Sequence, residues 1–198
     1  MVVEDQIQLM GQRIGVQRFE GLLSRLDDCG SAGDALRLLR SSEFFRGLVE
    51  RQIDWLETEA QFKANTIDYI TSVHERSAAT LQPTEATLMS SLRVLRQRAM
   101  LHILWRSFTQ RATGLDDTLV AMSDLADFVI REAVRFAEAQ VGTRFGEPIG
   151  EDSKTRQHLI VVGMGKLGGR ELVLSSDIDI FFVYDEPGVT EGGRSNTS

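Results

Sequence analysis

One stretch limits the folds open to this chain more than any other: LIVVGMGKLGGRELVLSSDIDIFFVYDEP, residues 159–187. Two apolar runs rich in β-branched and aromatic residues enclose glycines and acids. HLIVV, closed by Gly163, reads as a buried strand, and Ile178–Tyr184 as a second one. Between them, Lys166–Val173 has room for a short helix. A chain that switches from helical to strand periodicity at this point must build at least the start of an α/β unit.

Three features of the stretch carry chemistry. The first is the turn containing Gly163, Gly165, Gly168 and Gly169, with Lys166 among them. Glycines let backbone N–H groups approach an anion, a helix N-terminus favours negative charge, and a lysine adds a point charge for phosphate. The same glycines would also serve a tight strand-to-helix turn with no ligand. The second feature is Asp177-Ile178-Asp179. Strand side chains alternate faces, so the two carboxylates project together while Ile178 turns to the core and Ile180, Phe181, Phe182 and Val183 bury the rest. Paired carboxylates repel, and a divalent cation relieves the cost. Mg²⁺ prefers carboxylate and phosphate oxygens, and nucleotidyl transfer uses it to offset developing charge. A capping or solvated role is the plainer alternative. The third feature is Ser175-Ser176, which can bind phosphate but more commonly caps a turn.

Gly163-Met164-Gly165-Lys166-Leu167-Gly168 also satisfies G-x-G-x-x-G, the dinucleotide-binding pattern, with Asp185 closing the next apolar run. A dinucleotide-dependent oxidoreductase is therefore an alternative. Against it, the segment up to Ser175 is shorter than the roughly dozen residues of a parallel crossover, and the pattern gives Asp177 and Asp179 no role. A Walker loop is excluded, because no Ser or Thr follows Lys166.

Upstream, residues 1–141 read as helical. Leu88, Leu92, Leu95, Ala99 and Ile103 form one stripe, and Leu119, Met122, Leu125, Ala126, Val129 and Val134 another. Ser42 caps a helix holding Phe45, Leu48, Val49, Ile53 and Leu56. Thr84 and Glu85 start one after Pro83, Gly114 separates two more, and Gly30 and Gly33 break an earlier one. Residues 142–157, with Gly142, Gly146, Pro148 and Gly150, read as a linker loop. Residues 158–186 begin the α/β domain, and the Gly-, Ser- and Thr-rich residues 187–198 read as a mobile tail. The expected class is mainly α followed by α/β.

The net charge of −7 disfavours general nucleic-acid binding, since phosphate contacts need positive surface. No run approaches the roughly 20 apolar residues of a membrane span. The N-terminus is too polar for a signal peptide, and a lone Cys29 allows no internal disulfide. These points favour a cytoplasmic protein. His74, His102 and His158 lack ligand spacing. Cys29 has no catalytic companion, and Trp55 and Trp105 read as core. Arg93, Arg96, Arg98, Arg106 and Arg111 read mostly as a solvated face, with a minority reading toward the nucleotide.

The segment GMGKLGGRELVLSSDIDIFFVYDEP resembles the signature of the bacterial glutamine synthetase adenylyltransferase / adenylyl-removing enzymes. LRVLRQRAMLHILWRSF, the Leu119–Ala133 helix, FGEP at Phe145–Pro148 and EGGR at Glu191–Arg194 extend the resemblance over most of residues 90–194. It implies an incomplete polymerase-β-like nucleotidyltransferase sheet. One domain of that family attaches AMP from ATP to a tyrosine of glutamine synthetase, and the other removes it by phosphorolysis, releasing ADP. The motif is more similar to the N-terminal, deadenylylating domain. By this resemblance Asp177 and Asp179 are the catalytic, metal-binding acids. Gly165, Lys166, Gly168, Gly169 and Ser176 face the phosphates, where the wider superfamily usually has Gly-Ser. Mg²⁺ is the implied cofactor, ATP and ADP the nucleotides, glutamine synthetase the partner, and a PII signalling protein a regulator. The family's third carboxylate lies in an Asp-x-Arg-Leu-Arg-Pro segment absent from these residues. The chain is thus expected to be a truncated N-terminal piece, with its own activity in question. A non-catalytic helical interaction module is the remaining alternative.

Overall fold

The computed structural model describes residues 3–28, 32–58, 84–109 and 114–194. The chain divides into two compact units, Met1–Met122 and Ser123–Ser198. The sequence places the change of regime at residues 141–142. The units instead part within a helix, about twenty residues earlier, and from Ser123 onward that helix is tied to the segment after it by Ser123 with Leu172, Asp124 with Arg170 and Glu138 with Leu159.

The first unit is helical. Its elements are α1 (Val3–Ile14), α2 (Val16–Asp28), α3 (Ala32–Ser41), α4 (Glu43–Arg51), α5 (Ile53–Thr58) and α6 (Glu85–Thr109), followed by the start of α7 (Leu115–Phe145). Local chemistry sets several ends. Ser42 caps α4, its hydroxyl accepting the Phe45 N–H at 3.1 Å. Thr84 does the same for α6 through the Thr87 N–H at 3.3 Å. At the start of α7, the Gly114 N–H donates to the Asp117 carboxylate at 3.1 Å.

Phe45, Leu48, Val49, Ile53 and Leu56 are all buried, but on two helices rather than one. The break falls at Gln52, whose buried amide is drawn into a side-chain network. It donates to Gln97 at 2.7 Å and accepts from Arg98 Nε at 3.1 Å, and the Arg98 guanidinium lies 5.2 Å from the Trp55 ring centroid. The stripe from Leu88 to Ile103 faces inward as expected. From Met100 to Trp105, however, α6 is buried on every side, His102 included. Trp55 and Trp105 are core residues. Cys29, Gly30, Ser31, His74, Pro83 and Arg111 lie outside the described residues.

In the second unit α7 continues through Gly142 to Phe145, and Gly146–Gly150 forms strand β1. The expected linker is therefore helix and strand up to Gly150. The strand β4 (Gly188–Gly192) pairs antiparallel with β1, in register from Gly146↔Gly192 to Gly150↔Gly188. The expected mobile tail is thus a strand through Gly192. Close contact explains the glycine content: a Cβ on Gly146 or Gly188 would run into the partner strand's backbone, at Glu191 and Ile149 respectively. FGEP and EGGR, remote in sequence, face each other across this ribbon.

Strand β2 (Ile160–Gly163) pairs antiparallel with β3 (Ile180–Val183), from Ile160↔Val183 to Gly163↔Ile180. Between them lies one four-residue helix, α8 (Gly165–Gly168), half the length that Lys166–Val173 offered. The burial expected for these strands is not found. Ile160, Phe181, Phe182 and Val183 are exposed, and Ile178 is 43% exposed instead of turned into a core. A two-stranded sheet among the described residues has too few neighbours to cover both faces. Mostly helical structure leading into an incomplete sheet is the architecture observed. Among the described residues, no helix is long and apolar enough to cross a membrane.

Candidate functional site

The antiparallel ladder of β2 and β3 does not stop at Gly163↔Ile180. The Met164 N–H donates to the Asp179 carbonyl at 2.9 Å, which carries the pairing one step further. Asp179 is therefore fixed beside the first residue of the glycine-rich turn, with Asp177 two residues back; both acids precede β3, which begins only at Ile180, rather than lying in the strand as expected. Both acids are exposed, and among the described residues neither carboxylate forms an ion pair. Their mutual repulsion stays low while solvent reaches both.

The turn itself is built from backbone constraints. Gly165 adopts φ +50, a left-handed conformation that glycine takes without penalty. A Cβ on Gly168 would lie 2.6 Å from the Gly163 carbonyl oxygen, so only glycine lets α8 fold back onto the end of β2. Two of the four glycines thus have structural reasons to be there. Leu167, buried on the inner side, pins the turn to the unit. With only four residues, α8 adds almost no dipole. The Gly168 and Gly169 N–H groups already donate to the Met164 and Gly165 carbonyls at 3.1 and 2.9 Å, so any hold on an anion falls to the start of the turn and to Lys166.

Lys166 reaches back toward the acids. Its ammonium donates to the Ser176 hydroxyl at 3.4 Å, and that hydroxyl also accepts the Val173 N–H at 3.2 Å. The Ser176 N–H in turn donates to the Val173 carbonyl at 3.0 Å. Ser176 therefore caps the turn before the acids and touches Lys166 as well. The structure brings together Lys166, Ser176, the glycine turn and the segment carrying Asp177 and Asp179. Among the described residues no group of three or more His, Cys, Asp or Glu side chains is placed to hold a metal ion. The two aspartates nonetheless suit Mg²⁺ as a partial set, because that ion commonly takes one or two carboxylates and fills its octahedron with water and phosphate oxygens.

The antiparallel pairing removes the dinucleotide alternative. That fingerprint needs parallel strands joined by a crossover helix, and here a four-residue helix returns the chain antiparallel. Asp185, the acid that would have met a ribose, is exposed beyond the end of β3.

Sequence reasoning missed the residues that hold the turn from behind. The Arg170 guanidinium is paired with Asp124 and lies 3.7 Å from Asp127, both on α7. The hydrogen bond to Asp124 raises the Arg170 pKa further above its already high value. The buried Ser123 hydroxyl accepts the Leu172 N–H at 3.3 Å. Nothing local in the sequence announces these contacts, which join residues nearly fifty positions apart. Glu138 was likewise unflagged. Burial pushes its pKa up, but the Leu159 N–H at 2.8 Å and His158 at 3.2 Å outweigh this and hold it low. His158 thus has a surface role beside Glu138, whereas His102 is core.

Comparison with known proteins bears on the same residues. The family model for glutamate-ammonia ligase adenylyltransferase matches residues 32–198. The chain belongs to that family. Curated relatives agree. A bifunctional glutamine synthetase adenylyltransferase/adenylyl-removing enzyme of Ralstonia nicotianae is 46% identical over 116 residues, covering 59% of this chain and 12% of the relative. Its counterpart in Thioalkalivibrio sulfidiphilus is 49% identical over 111 residues, 56% of this chain and 11% of the relative. That of Pseudomonas putida is 47% identical over 117 residues, 58% and 12%. The chain therefore aligns with only about 12% of the length of these adenylyltransferase family members.

Proposed function

We propose that residues 159–187 are part of a nucleotidyltransferase site that removes AMP from glutamine synthetase, within a longer protein that also attaches it. The observation that supports this reading is the ladder step between Met164 and Asp179, which brings the backbone of the acid-bearing segment beside the glycine turn. An oxidoreductase would have no use for that adjacency. A nucleotidyltransferase needs it, because phosphate and metal ligands must share one corner. The names of the relatives support the choice of glutamine synthetase as the protein acted on.

In this reading Asp177 and Asp179 would hold Mg²⁺, which supplies charge neutralisation at the phosphorus and orients the attacking oxygen. The N–H groups at the start of the glycine turn and the Lys166 ammonium bind inorganic phosphate. Ser176 keeps the turn before the acids closed and holds Lys166 toward them. The phosphate oxygen forms a new bond to the α-phosphorus of the AMP–tyrosine ester. The P–O bond to the tyrosine breaks, the phenolate takes a proton, and ADP leaves.

The test uses the full-length protein and adenylylated glutamine synthetase. Asp177→Asn should cut phosphate-dependent ADP release by more than about 100-fold without lowering the melting temperature. Activity near that of the unaltered protein would overturn the assignment.

A further inference from the structure

The end of α8 is a Schellman motif: the Arg170 N–H donates to the Leu167 carbonyl at 3.0 Å and the Glu171 N–H to the Lys166 carbonyl at 2.7 Å. The residue after the cap must then be left-handed, and glycine is usual there. Here it is Arg170, with φ 57. Gly169, one residue earlier, has an ordinary φ of −80. The glycine is therefore not spent at the position that needs one, and a long cationic side chain carries the strain. Such strain persists when surrounding contacts fix it and when it serves a purpose.

Those contacts are visible. Asp124 and Asp127 lie three residues apart on one face of α7 and both engage the Arg170 guanidinium. One residue before Asp124, the buried Ser123 hydroxyl takes the Leu172 N–H. Leu172 is itself buried. Immediately before this tie lie Lys166, Gly168 and Gly169, and soon after it Ser176 and the two acids. We propose that Arg170, Asp124 and Ser123 are positioning residues, a clamp that sets the glycine turn at the height the phosphate requires. They touch no substrate and act through the backbone between Lys166 and Leu172. A side chain chosen only for solubility would not be placed where glycine is easier.

This inference rests on the nucleotidyltransferase reading and is tested in the same full-length protein by ADP release from adenylylated glutamine synthetase. Arg170→Gly keeps the left-handed backbone and removes only the tie. It should raise the KM for inorganic phosphate about tenfold, leave kcat within about twofold, and leave the melting temperature unchanged. Asp124→Asn should move KM in the same direction by about threefold. The exchange R170D with D124R restores the pair with reversed sign, since aspartate tolerates the left-handed region. It should bring KM back to within about threefold of the starting value. An unchanged phosphate KM in Arg170→Gly overturns the clamp, as does an exchange variant no better than R170D or D124R alone. If Asp177→Asn is inactive while Arg170→Gly is normal, only the clamp fails. If Asp177→Asn is fully active, the nucleotidyltransferase reading fails first.

Discussion

Glu186 shows how one side chain can organise a turn that its own neighbourhood does not explain. Its carboxylate accepts the Asp152 N–H at 2.6 Å and the Ser153 N–H at 3.2 Å, and takes the Gln157 side-chain amide at 3.2 Å. Hydrogen bonds from Ser153, then from the Asp152 backbone, hold its pKa below the usual carboxylate range. A lowered folded-state pKa means that the ion stabilises the fold above the unfolded pKa. That contribution disappears as pH falls through the lowered value. Glu186→Gln should therefore speed hydrogen exchange of the Asp152 and Ser153 amides at pH 7. The difference from the unaltered chain should shrink as the pH drops through that lowered value. Equal exchange at pH 7 would show that the charge is not what holds the turn. At this scale the sequence was readable wherever a residue acts on its close neighbours. Ser42, Thr84 and Gly114 were legible because a cap reaches only three residues. Arg170, Asp124 and Glu186 were not, because their partners lie roughly thirty to fifty positions away.

Among the elements, helices were easier to read than strands. The Leu88–Ile103 stripe repeats at helical spacing and is buried as its period requires. Gly146–Gly150 and Gly188–Gly192 carry no alternating apolar pattern, so each looks like loop by itself, and only pairing makes them strands. Their glycines are a packing requirement. Gly146→Ala would have to adopt φ +97 while driving a methyl group into the Glu191 backbone. It should destabilise the second unit by about 2–4 kcal/mol, read as a lowered urea midpoint. Gly168→Ala meets the Gly163 carbonyl and should cost about 1–3 kcal/mol by the same measurement. Gly169→Ala meets nothing closer than 3.4 Å and should be nearly neutral for stability. Loss of phosphate affinity in that variant would then report on binding alone. The candidate site was legible in its acids and glycines, which share one short segment. The burial assigned to its strands was not, because periodicity tells which residues alternate and not whether anything covers them.

For the molecule as a whole, the two units differ in how completely they are closed. The first buries Met10, Leu22, Leu48 and Leu101 almost fully. In the second, Phe182 is 58% and Tyr184 67% exposed, and Phe181, Ile160 and Val189 are also open to solvent. Apolar surface of this extent makes a soluble domain prone to association. The 198-residue chain by itself should bind a hydrophobic-surface dye and show a sedimentation coefficient that rises with concentration. Replacing Phe181 and Phe182 together with serine should weaken both signals. A chain that stays monomeric and dye-free would mean that the strands are covered in solution.

The ribbon of β1 and β4 has a consequence for the order of events during synthesis. Gly146–Gly150 leaves the ribosome well before Gly188–Gly192, and it has no strand to pair with until the later segment emerges. The acids and the glycine turn are both translated inside that interval. The ribbon can therefore close only after the acids and the glycine turn have been made, when its two glycine-edged ends meet.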